Sequence, residues 1–222
     1  MPYTIIISIY NEERLIPQLL SELKFYSKSN QILIIDDGST DSSFDILSEC
    51  EFITLKSLNK NHGKGYSIRL GIEIALYNKI IISDGDLELN TKELANLMIL
   101  DKSKDSNFIL GSRFNNIILS NSIWNFGNYF FSLIFNFLYK SNLNDVLCCA
   151  KSFYKSDLKQ SDLKSKGFDI DIELISILIQ KFKNVTVIPL SYKRRKYKEG
   201  KKINLRDSFK ILYRLLICKK WY

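Results

Sequence analysis

Residues 80–88 read Ile80-Ile81-Ile82-Ser83-Asp84-Gly85-Asp86-Leu87-Glu88. The apolar run predicts a buried strand, and it empties into two carboxylates two residues apart, which face one side of an extended segment. Such a pair suits a hard divalent cation, Mg²⁺ or Mn²⁺, which takes oxygen ligands and keeps positions open for substrate phosphates. The same residues also suit a plain turn at a strand end, because Asp and Gly are turn formers. The surrounding chain has to choose between a metal clamp and a turn.

Upstream, residues 3–9 are a β-branched run. Residues 13–26 then place Leu15, Leu19, Leu20 and Leu23 at helical spacing, with Pro17 in the first turn. Residues 31–35 predict a second buried strand ending in Asp36-Asp37-Gly38-Ser39-Thr40-Asp41, where the turn residues also cap a helix reaching about Ser48. A strand over 52–55 and a helix opened by Gly63 and Gly65 and running to Tyr77 precede the strand at 80–83. Strand and helix alternate with short connections, which predicts an α/β domain with a mainly parallel sheet and ligands beyond the carboxyl ends of its strands. Three polar clusters fall there: Asn11-Glu12, Asp36-Asp37 and Asp84-Gly85-Asp86.

Downstream, Asn90 predicts a cap with Glu93 reaching back, and residues 108–112 a further strand. An aromatic helix over 122–139, a helix over 171–183 and a strand over 185–190 follow. The basic run 193–202, in which seven of ten residues are Lys or Arg, leads into a last helix from about 205 to 217. With no repeat or low-complexity linker, the expectation is one domain over 1–222.

The composition is that of a globular protein: 45% hydrophobic and 25% charged over 222 residues, which excludes wholesale disorder. A net charge of +8 favours polyanionic company, whether nucleotide diphosphates, anionic lipid or nucleic acid. The start MPYTIIIS has no signal-peptide pattern, and Cys50, Cys148, Cys149 and Cys218 form no CxxC pair. A cytoplasmic protein with reduced thiols is therefore expected. The apolar stretch 123–138 carries Asn125, Asn128 and Asn136 and falls short of the roughly 20 residues a spanning helix needs. A dinucleotide-binding reading fails because Tyr10-Asn11-Glu12-Glu13 stands where the first strand–helix turn would need glycines.

SIYNEE (8–13), IDDGSTDSS (35–43), NHGKGYSIRLGI (61–72), DGDLE (84–88) and GSRF (111–114), in this order, resemble the family 2 glycosyltransferases. Within them the chain looks most like the polyprenyl- and dolichyl-phosphate mannose or glucose synthases. NDVLCCAKSF (144–153), GFDIDIELI (167–175) and the basic segment 187–203 are similar to segments of those enzymes. The resemblance implies a GT-A (Rossmann-like) α/β fold with C-terminal amphipathic helices. Residues 1–115 would serve a UDP- or GDP-sugar and residues 116–222 the acceptor. Departures are Ser8 in place of Pro, Cys149-Ala150 in place of Gly-Phe, and the lack of the four-helix membrane anchor of some relatives.

In such an enzyme Asp37, with Asp36 beside it, would accept hydrogen bonds from the base or ribose, or both would only cap the next helix. Tyr10 and Glu12 would floor that pocket. Lys64 and Arg69, near a Gly-rich helix start, suit a diphosphate, although Arg69 also fits an ordinary helix surface. Asp84 and Asp86 would hold the metal, with Glu88 either as a further metal-side group or facing solvent. A hydroxyl acceptor needs a general base, whereas a lipid phosphate is already ionised and needs positive charge to position it. Arg113, Lys151, Arg194 and Arg195 would supply that charge, and Asp145 and Glu173 would orient neighbours. Asp84, Asp86, Glu173 and Arg113 are the catalytic candidates.

The rival enzyme moves sugar to a saccharide hydroxyl in surface polysaccharide synthesis, with Asp171 or Glu173 as base. The non-enzymatic rival is a basic binding domain on nucleic acid or membrane, for which the basic run would be a solvated face. The expectation is a nucleotide sugar and an acceptor as partners, without nucleic acid. The aromatic segment with Trp124 and Phe126, and the last helix with Phe209, Leu216 and Trp221, read either as core or as a peripheral contact on the cytoplasmic face of a membrane.

Overall fold

A computed structural model describes residues 1–114, 123–182, 184–195, 202 and 205–220. Its centre is built from three strands: β1 (Tyr3–Ile9), β2 (Gln31–Asp36) and β4 (Lys79–Asp84), which follows the edge strand β3 (Thr54–Ser57). Ile5–Ile7, Ile32–Ile35 and Ile80–Ile82 are all buried, as strands covered on both faces require. The helices α1 (Ile16–Ser27), α2 (Ser43–Ser48) and α3 (Lys64–Ile74) are the crossovers of this parallel half. The rest comprises β5 (Phe108–Ser112), α4 (Ile123–Tyr139), β6 (Lys151–Tyr154), α5 (Ile170–Lys181), β7 (Thr186–Pro189) and α6 (Leu205–Lys220). Among the described residues the sheet runs β3-β2-β1-β4-β6-β5-β7, parallel except for β6, which is antiparallel to both neighbours.

Several expected boundaries move for identifiable reasons. The helix expected to reach Tyr77 stops at Ile74, because Gln31 Oε1 accepts the Leu76 amide at 2.9 Å and Thr4 Oγ1 accepts that of Tyr77 at 3.1 Å. The third strand sits two residues later than expected, in a register where Ser57 lies opposite Asp36 and donates to its Oδ2 at 2.8 Å. Asn90 does cap the next segment, accepting from Lys92 and donating to Glu93, but that segment is a 3₁₀ stretch, Thr91–Leu97. Ser122, at the expected start of the aromatic helix, lies outside the described residues.

Strand β6 is absent from the expectations above. It has only four residues, lies between β4 and β5, and opens on Lys151, whose side chain is wholly buried.

The turn after β2 depends on one glycine. Gly38 has φ +71°, and a Cβ there would lie 2.4 Å from the Lys60 carbonyl carbon. Gly38→Ala is expected to cost about 2–4 kcal/mol, from the left-handed backbone and the clash together. In a thermal melt the midpoint should fall by roughly 4–16 °C.

Candidate active site

Register brings the three clusters to one end of the sheet: Asp84 pairs with Ser8, and Asp36 with Ile9. A cavity of about 380 Å³ opens there. Tyr10, Glu12 and Asp37 line it from the first two strand ends, and Asp84, Asp86 and Glu88 from the end of β4. Arg113, Asp171, Arg194 and Arg195 line it from the second half of the chain.

At the end of β2 the two aspartates part company. Asp36 is buried away from the cavity, accepting from the Ser39 amide (3.1 Å) and the Ser57 hydroxyl, so it holds the turn. Asp37 reaches the cavity while its carboxylate accepts the amides of His62 (2.9 Å) and Gly63 (2.8 Å).

The glycine-rich start of α3 is not an open phosphate cradle. Besides the two amides on Asp37, those of Gly65 and Tyr66 donate to the Lys166 carbonyl at 3.0 and 3.4 Å. The glycines are there for close approach: a Cβ on Gly63 would sit 2.2 Å from that carbonyl oxygen, and one on Gly65 2.8 Å from the Ser165 oxygen. Arg69 does not line the cavity, so of the two expected diphosphate cations only Lys64 faces it.

Lys64 belongs to a row of charges along the cavity floor. Its ammonium lies 2.7 Å from Asp84 Oδ1 and 3.0 Å from Oδ2, and also 3.0 Å from Asp171 Oδ2. Asp171 Oδ1 in turn accepts from the buried Lys151 ammonium at 2.9 Å, which also donates to the Cys148 carbonyl. Burial would push the Asp171 carboxyl up, but Lys151 and then Lys64 hold it down to about 2. Beyond Gly85 the row continues. Arg195 lies 3.4 Å from Asp86 Oδ2 and pairs with Glu12 at 2.8 Å, and Lys202 donates to Glu12 and to the Tyr10 carbonyl. Burial, then Asp84, then Glu88 push the Asp86 carboxyl up to about 6.

Among the described residues no cluster of three or more His, Cys, Asp or Glu side chains could hold a metal by itself. Asp84 and Asp86 still fit a divalent cation of the magnesium type. Such a cation needs only one or two protein carboxylates when diphosphate and water complete its shell, and the repulsion that raises Asp86 is relieved by added positive charge. Glu88 accepts the Arg195 amide at 2.9 Å and so ties the basic segment to this end of the sheet.

In the second half of the chain, Asp145 is buried and holds Arg113 bidentately, at 2.8 Å to Nε and 2.7 Å to Nη2. Arg113 also lies over the rings of Phe114 and Tyr192 at 5.5 and 5.4 Å, and Arg194 over Tyr192 at 6.0 Å. Tyr192 was not among the expected site residues; an aromatic just ahead of Lys193-Arg194-Arg195 after a strand was its signal. Lys151 is sealed beneath the cavity and cannot meet an acceptor directly. Residues 196–201 of the basic run lie outside the described residues.

Glu173 was expected both to orient neighbours and to be a catalytic candidate. It does not line the cavity: it accepts the amides of Lys164 (3.0 Å) and Ser165 (2.8 Å) and pairs with Arg214 of α6 at 2.9 Å. Asp171, two residues earlier on α5, faces the cavity instead.

A protein from Methanococcus voltae, a UDP-N-acetylglucosamine–dolichyl-phosphate N-acetylglucosaminyltransferase, is 27% identical over 97% of this chain and 95% of its own length. An undecaprenyl-phosphate 4-deoxy-4-formamido-L-arabinose transferase from Pectobacterium carotovorum is 31% identical over 43% of this chain and 32% of its own length. In fold, the chain superposes on glucosyl-3-phosphoglycerate synthase from Mycobacterium tuberculosis, solved with Mn²⁺, UDP and glucosyl-3-phosphoglycerate. The TM-score is 0.73 at 13% identity, covering 99% of this chain and 80% of that one. Residues 4–160 match the model of glycosyl transferase family 2, and the chain is a glycosyltransferase that belongs to that family.

Proposed function

We propose that this enzyme is an inverting, metal-dependent transferase that moves a sugar from a nucleotide diphosphate sugar to a polyprenyl phosphate. The observation that carries the acceptor assignment is the state of the two carboxylates available as base to a hydroxyl acceptor. Asp171 is clamped by two lysines and held near 2, and Glu173 is turned to backbone amides and Arg214. A group so acidic makes a poor general base at neutral pH. Arg113, Arg194 and Arg195, all at the cavity wall, suit an acceptor that arrives ionised. The relatives from Methanococcus and Pectobacterium are both named for polyprenyl-type phosphate acceptors, which supports the same reading.

In this reading Tyr10 and Asp37 hold the nucleoside, and Lys64 faces the diphosphate. Asp145 fixes the Arg113 fork so that the acceptor phosphate is aimed at the anomeric carbon. One bond forms, from a phosphate oxygen to that carbon, as the bond to the nucleotide diphosphate breaks on the opposite face. Mg²⁺ or Mn²⁺ at Asp84 and Asp86 would neutralise charge on the departing nucleotide. Incubation with a panel of UDP- and GDP-sugars, Mn²⁺ and short-chain polyprenyl phosphate should release nucleotide and yield a lipid-linked sugar. Transfer to a saccharide hydroxyl but never to the phosphate would overturn the acceptor assignment.

The acceptor tail needs a surface. Phe130, Leu133 and Phe137 form one exposed stripe of α4, with Phe137 85% exposed, and Phe209, Tyr213 and Leu216 form one on α6, with Phe209 75% exposed. The two helices pack together and both contact α5; Phe131 and Phe135 on one and Ile211 and Leu215 on the other are buried, and Asn128 and Ile211 line the cavity. No helix among the described residues is long and apolar enough to cross a membrane. The reading is that this double stripe lies on the bilayer beside the cavity mouth. Phe137→Asp with Phe209→Asp is expected to weaken co-sedimentation with anionic vesicles by roughly tenfold or more.

A further inference from the structure

We infer that Lys64 is a stand-in for the divalent cation at Asp84: it occupies that carboxylate until the cation arrives, then yields it and presents its ammonium to the donor diphosphate. The inference rests on the metal-dependent reading above and adds a device to it. Its starting point is position. The Lys64 ammonium contacts both oxygens of Asp84, at 2.7 and 3.0 Å, which is where a cation would sit. It is also tethered at 3.0 Å to Asp171, so it has somewhere to stay when Asp84 is taken from it.

The charge row points the same way. In order along the floor stand Lys151, Asp171, Lys64, Asp84, Asp86, Arg195, Glu12 and Lys202, a sequence that alternates in sign except where Asp84 meets Asp86. The eight formal charges cancel. A divalent cation alone would have to displace Lys64 from Asp84 and leave the site over-positive. A diphosphate alone would face carboxylates. The two together restore the balance, so each should strengthen the other's binding, and by linkage the effect is reciprocal. A lysine that only braced the fold would leave this coupling unchanged when removed.

The test is a titration with Mn²⁺ alone and Mn²⁺ with UDP, read by loss of the free-Mn²⁺ electron paramagnetic resonance signal, so no turnover is needed. Wild type should hold Mn²⁺ weakly alone, and UDP should tighten it by roughly tenfold. Lys64→Met should tighten Mn²⁺ alone by about fivefold, the worth of a partly exposed ion pair, and should shrink the gain from UDP. Lys64→Arg, which keeps the charge, should behave as wild type. Lys64→Gln can still hydrogen-bond Asp84 and Asp171 and gives the same reading as Lys64→Met if that variant does not fold. Mn²⁺ binding in wild type that the neutral variants fail to tighten overturns the stand-in role. No Mn²⁺ binding by any of the proteins, even with UDP, overturns the metal-dependent reading and this inference with it.

Discussion

Asp86→Asn is expected to lower sugar transfer by roughly a thousandfold while the metal-free protein melts no lower than wild type. The two outcomes have one cause. The carboxylate is poorly placed for the folded protein alone: burial, Asp84 and Glu88 push its carboxyl up to about 6 from the usual 3.8. Between those values the native state binds more protons than the unfolded chain, so wild-type stability falls as pH rises through that window. Well above pH 6 the full penalty applies, about 3 kcal/mol. An Asn carries no charge and removes it. The Asp86 contacts that oppose this gain are the Glu88 amide at 3.0 Å, which the Asn side-chain oxygen can still accept, and Arg195 at 3.4 Å, which keeps Glu12. Melts in a chelator from pH 4 to 8 should show the Asn variant drawing level near pH 4 and ahead above pH 6. A clear fall in melting temperature at pH 8 would show that the Arg195 pair outweighs the repulsion. Transfer within tenfold of wild type would remove Asp86 from the metal clamp.

The same physics explains what could and could not be read before the fold was known. The ends of β1, β2 and β4 were legible because a buried parallel strand is an uninterrupted apolar run, and the residues just past it have only one end of the sheet to occupy. Strand β6 was not legible. A four-residue strand headed by Lys151 looks polar until its charge is matched by Asp171, 20 positions on and in another element. Gly63 and Gly65 misled for a related reason. Their bare backbone admits residues 165–167, about a hundred positions away, and no local pattern distinguishes that from a phosphate loop. The choice between Asp171 and Glu173 was open because both sit in the first turn of α5. Two helical steps turn a side chain by about 200°, so only one of the pair can face the cavity. Which one depends on where the 164–165 loop and Arg214 lie.

Asp171→Asn should be the most destabilising substitution in the site, costing about 3–5 kcal/mol and lowering the melting temperature by roughly 6–20 °C. Lys64 would keep Asp84, but Lys151 would not be so placed. Its side chain is fully buried, and the contact left to it would be the Cys148 carbonyl, with the neutral Asn amide in place of a carboxylate. A buried ammonium left without its carboxylate is the expensive case, because its desolvation is no longer offset. The pH dependence follows from the direction of the shift. Asp171 is held down to about 2, against 3.8 for a free carboxyl, so its contribution is complete above about pH 4 and is lost as pH falls through 2. The gap between wild type and variant should therefore be constant from pH 5 to 8 and close only in strong acid. Adding Lys151→Met to Asp171→Asn should recover much of the loss, since removing both charges leaves nothing buried and unpaired. That recovery separates a positioning role from a chemical one. If Asp171 were the general base of a hydroxyl transferase, the double variant would be stable yet inactive. A melting temperature for Asp171→Asn within about 2 °C of wild type would sink this structural role.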